Sequence, residues 1–475
     1  MTAPLWTSDA AVAATGGAHY GDWAVDGIEI DSRTARQNDL FVAIVGDRLD
    51  GHDFAKSALD NGAAALMAHR KVDGIEATDP RILLVPDTLK GLEALARAAR
   101  VRTRAKIAAV TGSVGKTGVK EMLGKALGAA GSCHISQGNL NNHWGAPLSM
   151  ARMPAESAFA VIELGMNHAG EIRKLVDLVR PEVAIVTRIA AAHTAFFANI
   201  EAVADAKAEI FESLTGDAIA ILNADDPLTP RLASAAEAAG AQEILFFGAA
   251  EDADVRLLDL EMDEAGSTVR ADAMGQTMTW RVGAAGRHWA MNSLAVIAGA
   301  LALGGDRDAA AATLGEMRAP PGRGARRSIA WAGGSFDLVD ESYNASPAAV
   351  DAAFQTLAVA RPQRGGRRVV ILGDMLELGD RADADHGDLA QSFTASGLEI
   401  AHAVGPHAKR FLDALPSAAR GLWAETSDEL SATAASLVQD GDVVLVKGSL
   451  GMGMAKIVRA LEALSTDRED AAHAV

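Results

Sequence analysis

Lys106-Ile107-Ala108-Ala109-Val110 leads through Thr111 into Gly112-Ser113-Val114-Gly115-Lys116-Thr117. The first five residues form an apolar run of the kind that makes a buried parallel strand. Residues 119–130, after the glycines, carry Met122, Leu123 and Leu127 at helical spacing. Strand, glycine loop, Lys-Thr and helix is the order that cradles a polyphosphate. Backbone N–H groups and the helix dipole face the anion, the lysine reaches the terminal phosphates, and the threonine hydroxyl ligates Mg2+. Glycine is required because a side chain would hold the phosphate away from the backbone. One departure stands out: the longer phosphate-loop pattern begins with glycine where this chain has Val110. The stretch predicts an ATP site in an α/β fold.

Working outward, the alternation of strands and helices continues on both sides. Before the loop, residues 27–31, 39–45 and 82–86 are strand candidates and 54–61 and 89–100 helix candidates, with an arginine-rich boundary at 97–106. After it, 158–164, 183–189 and 218–222 are apolar strands separated by helices at 170–179 and 200–214. Such alternation predicts a parallel sheet covered by helices. Pro320-Pro321-Gly322 marks a linker, beyond which strands at 368–372, 400–404 and 443–446 repeat the pattern. Three domains are expected: 1–103, 104–318 and 319–475.

Composition narrows the function. A net charge of −18 argues against nucleic-acid or anionic-membrane partners, so anionic substrates must be held by local basic residues. Cys133 is the one cysteine, which excludes an intramolecular disulfide and fits a reducing cytoplasm. No early basic and apolar regions suggest a signal peptide, and no run of about 18 apolar residues suggests a membrane span. A soluble, cytoplasmic chain is expected.

Three further residues in the central segment carry chemistry. Glu163 ends the strand at 158–164, where ligands meet an α/β sheet, and a carboxylate there suits Mg2+. His193 follows the next strand in an equivalent location, and Lys207 lies on the helix at 200–214.

With these motifs in order, the chain resembles the Mur ligase family, ATP-dependent amide ligases that build the peptidoglycan stem peptide. The resemblance is carried by Asp31-Ser32-Arg33, Asp50-Gly51-His52-Asp53-Phe54 and the phosphate loop. It continues through Gly138-Asn139-Leu140-Asn141-Asn142, Asn223-Ala224-Asp225-Asp226-Pro227, Gly286-Arg287-His288 with Asn292, and Gly322-Arg323. Tyr343-Asn344, Leu372-Gly373-Asp374-Met375 and Val446-Lys447-Gly448-Ser449 complete it. It implies a UDP-muramoyl-peptide-binding domain, a P-loop ATPase domain and a closing, Rossmann-like carboxy-terminal domain. The implied substrates are ATP, a UDP-N-acetylmuramoyl-tripeptide and D-alanyl-D-alanine, and the chain is expected to act as a monomer.

Residue by residue, the resemblance implies that Gly112, Ser113, Val114, Gly115, Lys116, Thr117 and Gly118 hold the phosphates. Thr117, Glu163, His193 and Lys207 would place Mg2+, with two ions expected and Lys207 carbamylated. Asn292 would contact the adenine, Arg323 the phosphates and Glu341 the ribose. Asp31, Ser32, Arg33, Asn141 and Asn142 would line the UDP-sugar and peptide path, and Asn344, Lys447 and Ser449 the rest of the substrate site. Lys116, His193, Lys207 and Arg323 are the expected catalytic set.

The chemistry asks for these types. A carboxylate must first attack the γ-phosphorus of ATP to become an acyl phosphate, so two anions have to meet beside cations. Several positions depart from the family pattern: Glu341 for aspartate, Ser346 for asparagine, Leu450 for arginine, Arg188 for asparagine and Thr194-Ala195 for Leu-Glu. A sister Mur ligase, a folylpolyglutamate synthase-like enzyme and a non-catalytic ATP-binding scaffold remain alternatives. Lysine or diaminopimelate at the third peptide position is left open.

Overall fold

A computed structural model describes residues 3–190 and 196–466. His193, Thr194 and Ala195 lie outside the described residues. Among the described residues the strands form sheets of nine, six and five strands and a two-stranded ribbon.

In the nine-stranded sheet, Lys106–Thr111 lies between Phe159–Glu163 and Val183–Val186, parallel to both. The chain leaves this strand in one direction to Cys133–Ile135 and Phe159–Glu163, then crosses to Val183–Val186 and Ile219–Asn223 on the other side. That reversal makes a switch point, so the carboxyl ends of the three central strands open on one crevice. These strands are buried on both faces. Ala108, Val110 and Ile185 pack under the phosphate-loop helix Lys116–Gly128, while Ile107, Ala109 and Ile162 face the other layer. Val110 is therefore a core strand residue, and the loop begins at Gly112, later than the longer glycine pattern would have it.

Beyond Glu243–Gly248 the sheet continues as an antiparallel arm, Val255–Asp263, Gly266–Ala273 and Gln276–Val282, which the strand reading ending at 222 had missed. Met274 and Gly275, at φ 55° and 84°, make the tight turn between the last two. The arm's apolar face (Val269, Ala271, Trp280) packs on the helix Arg287–Ala302.

The five-stranded sheet pairs Gly27–Glu29, Asp39–Val42, Ala65–Ala68 and Ile82–Leu84 in parallel. Its core is continuous with the central unit: Leu92, Leu95 and Ala99 of the helix Thr88–Arg102 pack with Leu148 and Ala151. The stretch expected to be a boundary is thus the end of a packed helix and the start of Lys106–Thr111. In the six-stranded sheet, Glu341 and Leu372 both pair with Lys447 in register, so the ends of Gly334–Glu341, Val443–Lys447 and Arg368–Gly373 align. Among the described residues no helix is long and apolar enough to cross a membrane.

Candidate active site

The glycine loop is shaped by sterics. Gly112 has φ 147°, and a Cβ there would lie 2.0 Å from Thr187 Oγ1. That hydroxyl donates across the loop to the Val114 carbonyl at 2.5 Å, and Ser113 N–H donates to the Arg188 carbonyl at 2.7 Å. Ser113 Oγ reaches the Ala190 carbonyl at 3.0 Å. The segment 187–190, which follows the strand Val183–Val186, therefore braces the loop from the side. Gly115, at φ 90°, caps the helix, and a Cβ there would stand 2.9 Å from Asn292 Oδ1. Gly118 faces Trp289 and Asn292 one turn later. Asn292 is thereby brought against the loop.

At the mouth of the crevice, Thr117 Oγ1 donates to Glu163 Oε2 at 2.9 Å, and Asn141 Nδ2 donates to Glu163 Oε1 at 2.7 Å. Both carboxylate oxygens are oriented by neighbours, and Glu163 is buried. Lys116 Nζ folds back on the Gly112 carbonyl at 2.7 Å. Burial lowers the Lys116 ammonium from its ordinary value; Glu163 opposes this shift and Arg323 adds to it. Lys207 does not point to water as an isolated helical lysine would. It is 1% exposed, at the end of Ile200–Ala208. Burial, and then Lys116, hold its amine well below the ordinary lysine range. Among the described residues no carboxylate lies within ion-pair distance of it. The expected helix at 200–214 is helical to Ala208 and continues as a 3-10 turn, Glu209–Phe211.

Lys120 and Arg152 are structural determinants that the sequence reading missed. Lys120, one turn into the phosphate-loop helix, is fully buried. Its Nζ donates to the Ser136 and Gly138 carbonyls at 2.7 and 3.1 Å, pinning the loop that carries Asn139, Asn141 and Asn142. Arg152 donates to Gln137 Oε1, to Glu29 Oε2 and to the Ile28 carbonyl at 3.0, 2.9 and 2.6 Å, tying that loop to the first sheet. A buried lysine on a core-facing helix turn is a signal the sequence does carry, since such a cation needs partners.

Asp31, Ser32 and Arg33 follow the strand Gly27–Glu29. Arg33 forks onto Asp31, whose carboxyl it holds below the usual range, and the Ser32 carbonyl accepts Asn61 Nδ2 at 2.8 Å. They sit in the turn that leaves the five-stranded sheet, linked to the crevice through Glu29 and Arg152. Asn142 Oδ1 accepts Gly145 N–H at 2.9 Å, opening the helix Gly145–Ala151.

The six-stranded sheet contributes a second group. Lys447 Nζ donates to Glu341 Oε2 at 2.6 Å and to the Asn344 carbonyl at 3.1 Å. Burial alone would raise Glu341, but Lys447 and His288 bring its carboxyl below the usual value. Glu341, expected at the ribose, is engaged with Lys447 here. Ser449 Oγ accepts the Leu376 N–H at 2.9 Å, while the Asn344 side chain is exposed and bonds only its own loop. The Arg323 guanidinium lies 4.2 Å from the Tyr343 ring centroid, near enough to Lys116 and Glu341 to act on both electrostatically.

Oxygen donors at Thr117 and Glu163, with few other protein ligands, suit Mg2+ completed by phosphate and water. Among the described residues no group of three or more His, Cys, Asp or Glu forms an all-protein metal cage.

Comparison with known proteins places this geometry. Residues 24–100 match the Mur ligase family catalytic domain, 110–300 the Mur ligase middle domain and 326–450 the Mur ligase glutamate ligase domain. The chain is 35% identical to the UDP-N-acetylmuramoyl-tripeptide--D-alanyl-D-alanine ligase of Escherichia coli (strain K12), covering 93% of this chain and 94% of that one. It is similar to the crystal structure of MurF from Acinetobacter baumannii, with a TM-score of 0.82 and 30% identity over 96% of this chain and 99% of the other. The MurF ligase of Thermotoga maritima in complex with ADP superposes with a TM-score of 0.76 at 29% identity, covering 92% and 97%.

Proposed function

This chain belongs to the Mur ligase family, and from that premise we propose that it joins D-alanyl-D-alanine to UDP-N-acetylmuramoyl-tripeptide at the expense of ATP. The products are the UDP-linked pentapeptide, ADP and phosphate, a step in peptidoglycan precursor synthesis. The observation that carries the reading is identity of 30% or more with UDP-N-acetylmuramoyl-tripeptide--D-alanyl-D-alanine ligases along more than nine-tenths of both chains. We assign the reaction to the cytoplasm, where ATP and UDP-linked precursors are found.

We assign residues 1–103 to the UDP-muramoyl substrate, 104–318 to ATP and 319–475 to closure over both. In this reading the loop 112–118 wraps the phosphates with backbone N–H groups, and Lys116 exchanges the Gly112 carbonyl for the β- and γ-phosphates. Arg323 approaches from the third unit to neutralise the transferring group. The terminal carboxylate of the tripeptide attacks the γ-phosphorus, and ADP leaves. The dipeptide amine then attacks the acyl carbon, and the tetrahedral intermediate collapses to amide and phosphate. Asn141 and Asn142 border the path along which the tripeptide arrives. Water would hydrolyse the acyl phosphate, so closure of the third unit protects it. Bound Mg2+, held by Thr117 and Glu163 with His193 as a further neighbour in the family pattern, would neutralise phosphate charge. Asn292 is assigned to the adenine and Asp31, Ser32 and Arg33 to the UDP-sugar.

Lys207 has the chemistry of a carbamylation site. Its amine is buried and disposed to be neutral, and a neutral amine adds to CO2 with loss of a proton. The product would place a carboxylate where a neutral amine now stands near Lys116.

ADP release measured with UDP-N-acetylmuramoyl-tripeptide, with and without D-alanyl-D-alanine, tests the assignment. Turnover should require both. Release supported equally by single amino acids, or independent of the tripeptide, would overturn it.

A further inference from the structure

Arg323 and Tyr343 stand twenty positions apart on a single rigid corner. Gly322 N–H donates to Asp340 Oδ2 at 2.8 Å, Gly324 N–H to the Asp340 carbonyl at 2.7 Å, and Tyr343 N–H to the Gly322 carbonyl at 3.1 Å. These bonds clamp the linker to the end of the strand Gly334–Glu341. Gly322 has φ 75°, and a Cβ there would stand 2.9 Å from Tyr343 Cβ, so only glycine lets the two backbones approach this closely. Ser342 N–H and Oγ both bond Asp340 Oδ1, fixing the same corner from its other side.

The clamp has a consequence for the side chains. The Arg323 guanidinium lies over the Tyr343 ring, 4.2 Å from its centroid. An arginine has several rotatable bonds, and a free one at a linker would sample many directions. Here the ring face selects one. Tyr343 also meets the central unit: burial raises its phenol, and Arg323, Glu163 and Asn139 all act on it. Asn139 belongs to the loop that Lys120 pins. The ring is therefore seated between the arginine of its own corner and the crevice of the nine-stranded sheet.

We propose that Tyr343 is a positioning residue for phosphoryl transfer, its ring holding the Arg323 guanidinium over the crevice that contains Lys116 and Glu163. The inference rests on the assignment of Arg323 to the transferring phosphate. Because the guanidinium is held in advance, less freedom is lost when it meets the phosphate, and the gain falls on the rate of transfer more than on ATP binding. The aromatic face does most of this work, and the hydroxyl's hydrogen bonds to Asn139 and Arg323 contribute less.

The test compares Tyr343→Phe, Tyr343→Leu, Arg323→Ala and the double variant Arg323→Ala/Tyr343→Leu in the full-length enzyme, with kcat and the KM for ATP read separately. The phenylalanine variant should keep kcat within about twofold. The leucine variant should lose about tenfold or more in kcat, as expected for a cation–π contact with the charge partly desolvated, while its KM for ATP changes by less than about threefold. The double variant should be no slower than Arg323→Ala alone, because the ring acts through the arginine. Thermal unfolding of each variant checks the fold, and Tyr343→Gln serves as the ring-free variant if leucine does not fold. Wild-type kcat in the ring-free variant, equal losses in the phenylalanine and leucine variants, or multiplying losses in the double variant would overturn the role of Tyr343. Wild-type kcat in Arg323→Ala would instead overturn the assignment of Arg323.

Discussion

Replacing Lys120 by methionine tests how the phosphate-loop helix is joined to the substrate loop. The side chain is 0% exposed, and its ammonium has the Ser136 carbonyl at 2.7 Å, the Gly138 carbonyl at 3.1 Å and Glu121 Oε1 at 2.9 Å. Methionine keeps the length of the stem and removes every donor. The buried Ser136 carbonyl then loses its partner, at about 1–3 kcal/mol, while the carbonyl of exposed Gly138 turns to water. Part of that is offset because no ammonium has to be desolvated in the folded variant. Glu121 is partly exposed, so water takes over its solvation. A net loss of about 1–2 kcal/mol is expected, concentrated in residues 136–142.

The functional loss follows from what that loop carries. Asn141 orients Glu163, and Ser136 Oγ accepts the Glu163 N–H at 3.1 Å. Lys116 and the glycines are untouched. The KM for the UDP-linked tripeptide should therefore rise about tenfold, with the KM for ATP moving much less. Hydrogen exchange by mass spectrometry over 136–142 and steady-state ADP release read the two halves. Unchanged exchange protection in that loop together with an unchanged KM for the tripeptide would refute the reasoning.

Two further outcomes follow from buried bases. Lys207→Met should abolish ligation yet raise the thermal midpoint by a few degrees in carbonate-free buffer, since a buried amine beside Lys116 disfavours the folded state. The sign follows from its lowered position. Below the unfolded value near 10.4 the unfolded chain binds the proton more strongly, so parent stability climbs as pH approaches that value, and the variant lacks the slope. His402 in the six-stranded sheet is pushed by burial down to about 4, its Nδ1 accepting the Leu422 N–H at 2.9 Å. The unfolded chain takes up that proton from about pH 6.5, so stability falls between there and pH 4 by about 3 kcal/mol at most. His402→Gln should flatten this part of the stability–pH curve measured by urea unfolding.

What was legible in the sequence was local. The phosphate loop is one contiguous strand–turn–helix, and its glycines, lysine and threonine do their work within that run. Glu163 could be placed because the end of a buried parallel strand is a defined location. Non-local facts were hidden. Lys207 reads as an ordinary helical lysine until the element packed against it is known. The pairing of Glu341 with Lys447 spans two strands 106 residues apart in sequence. Ala65–Ala68 was missed because Ala-Leu-Met-Ala favours helix, and burial within the sheet overrides that preference. In Val255–Asp263, interleaved Arg256, Asp259, Glu261 and Asp263 reflect one wet face, and the strand was not recognised for want of a continuous apolar run.

The departure at Leu450 bears on how the third unit would take the carboxylate of a dipeptide. Leu450 is 60% exposed and offers no donor, where the family pattern has a guanidinium. Lys447 is not a simple replacement: it is 3% exposed, and Glu341 and the Asn344 carbonyl already occupy two of its three N–H groups. Ser449 is better disposed. Its oxygen accepts the Leu376 N–H, which leaves the hydroxyl proton without a protein acceptor in that bond, though the residue is only 5% exposed. One hydroxyl and one remaining ammonium proton, beside the N-terminal turn of Leu450–Met452, could bind a carboxylate, but with fewer charge-assisted bonds than an arginine fork. If the third unit takes the dipeptide as proposed, its carboxylate would depend on the fixed geometry of the Asp374–Ser449 corner, where Ser449 N–H donates to the Asp374 carbonyl at 3.1 Å, more than on a dedicated cation.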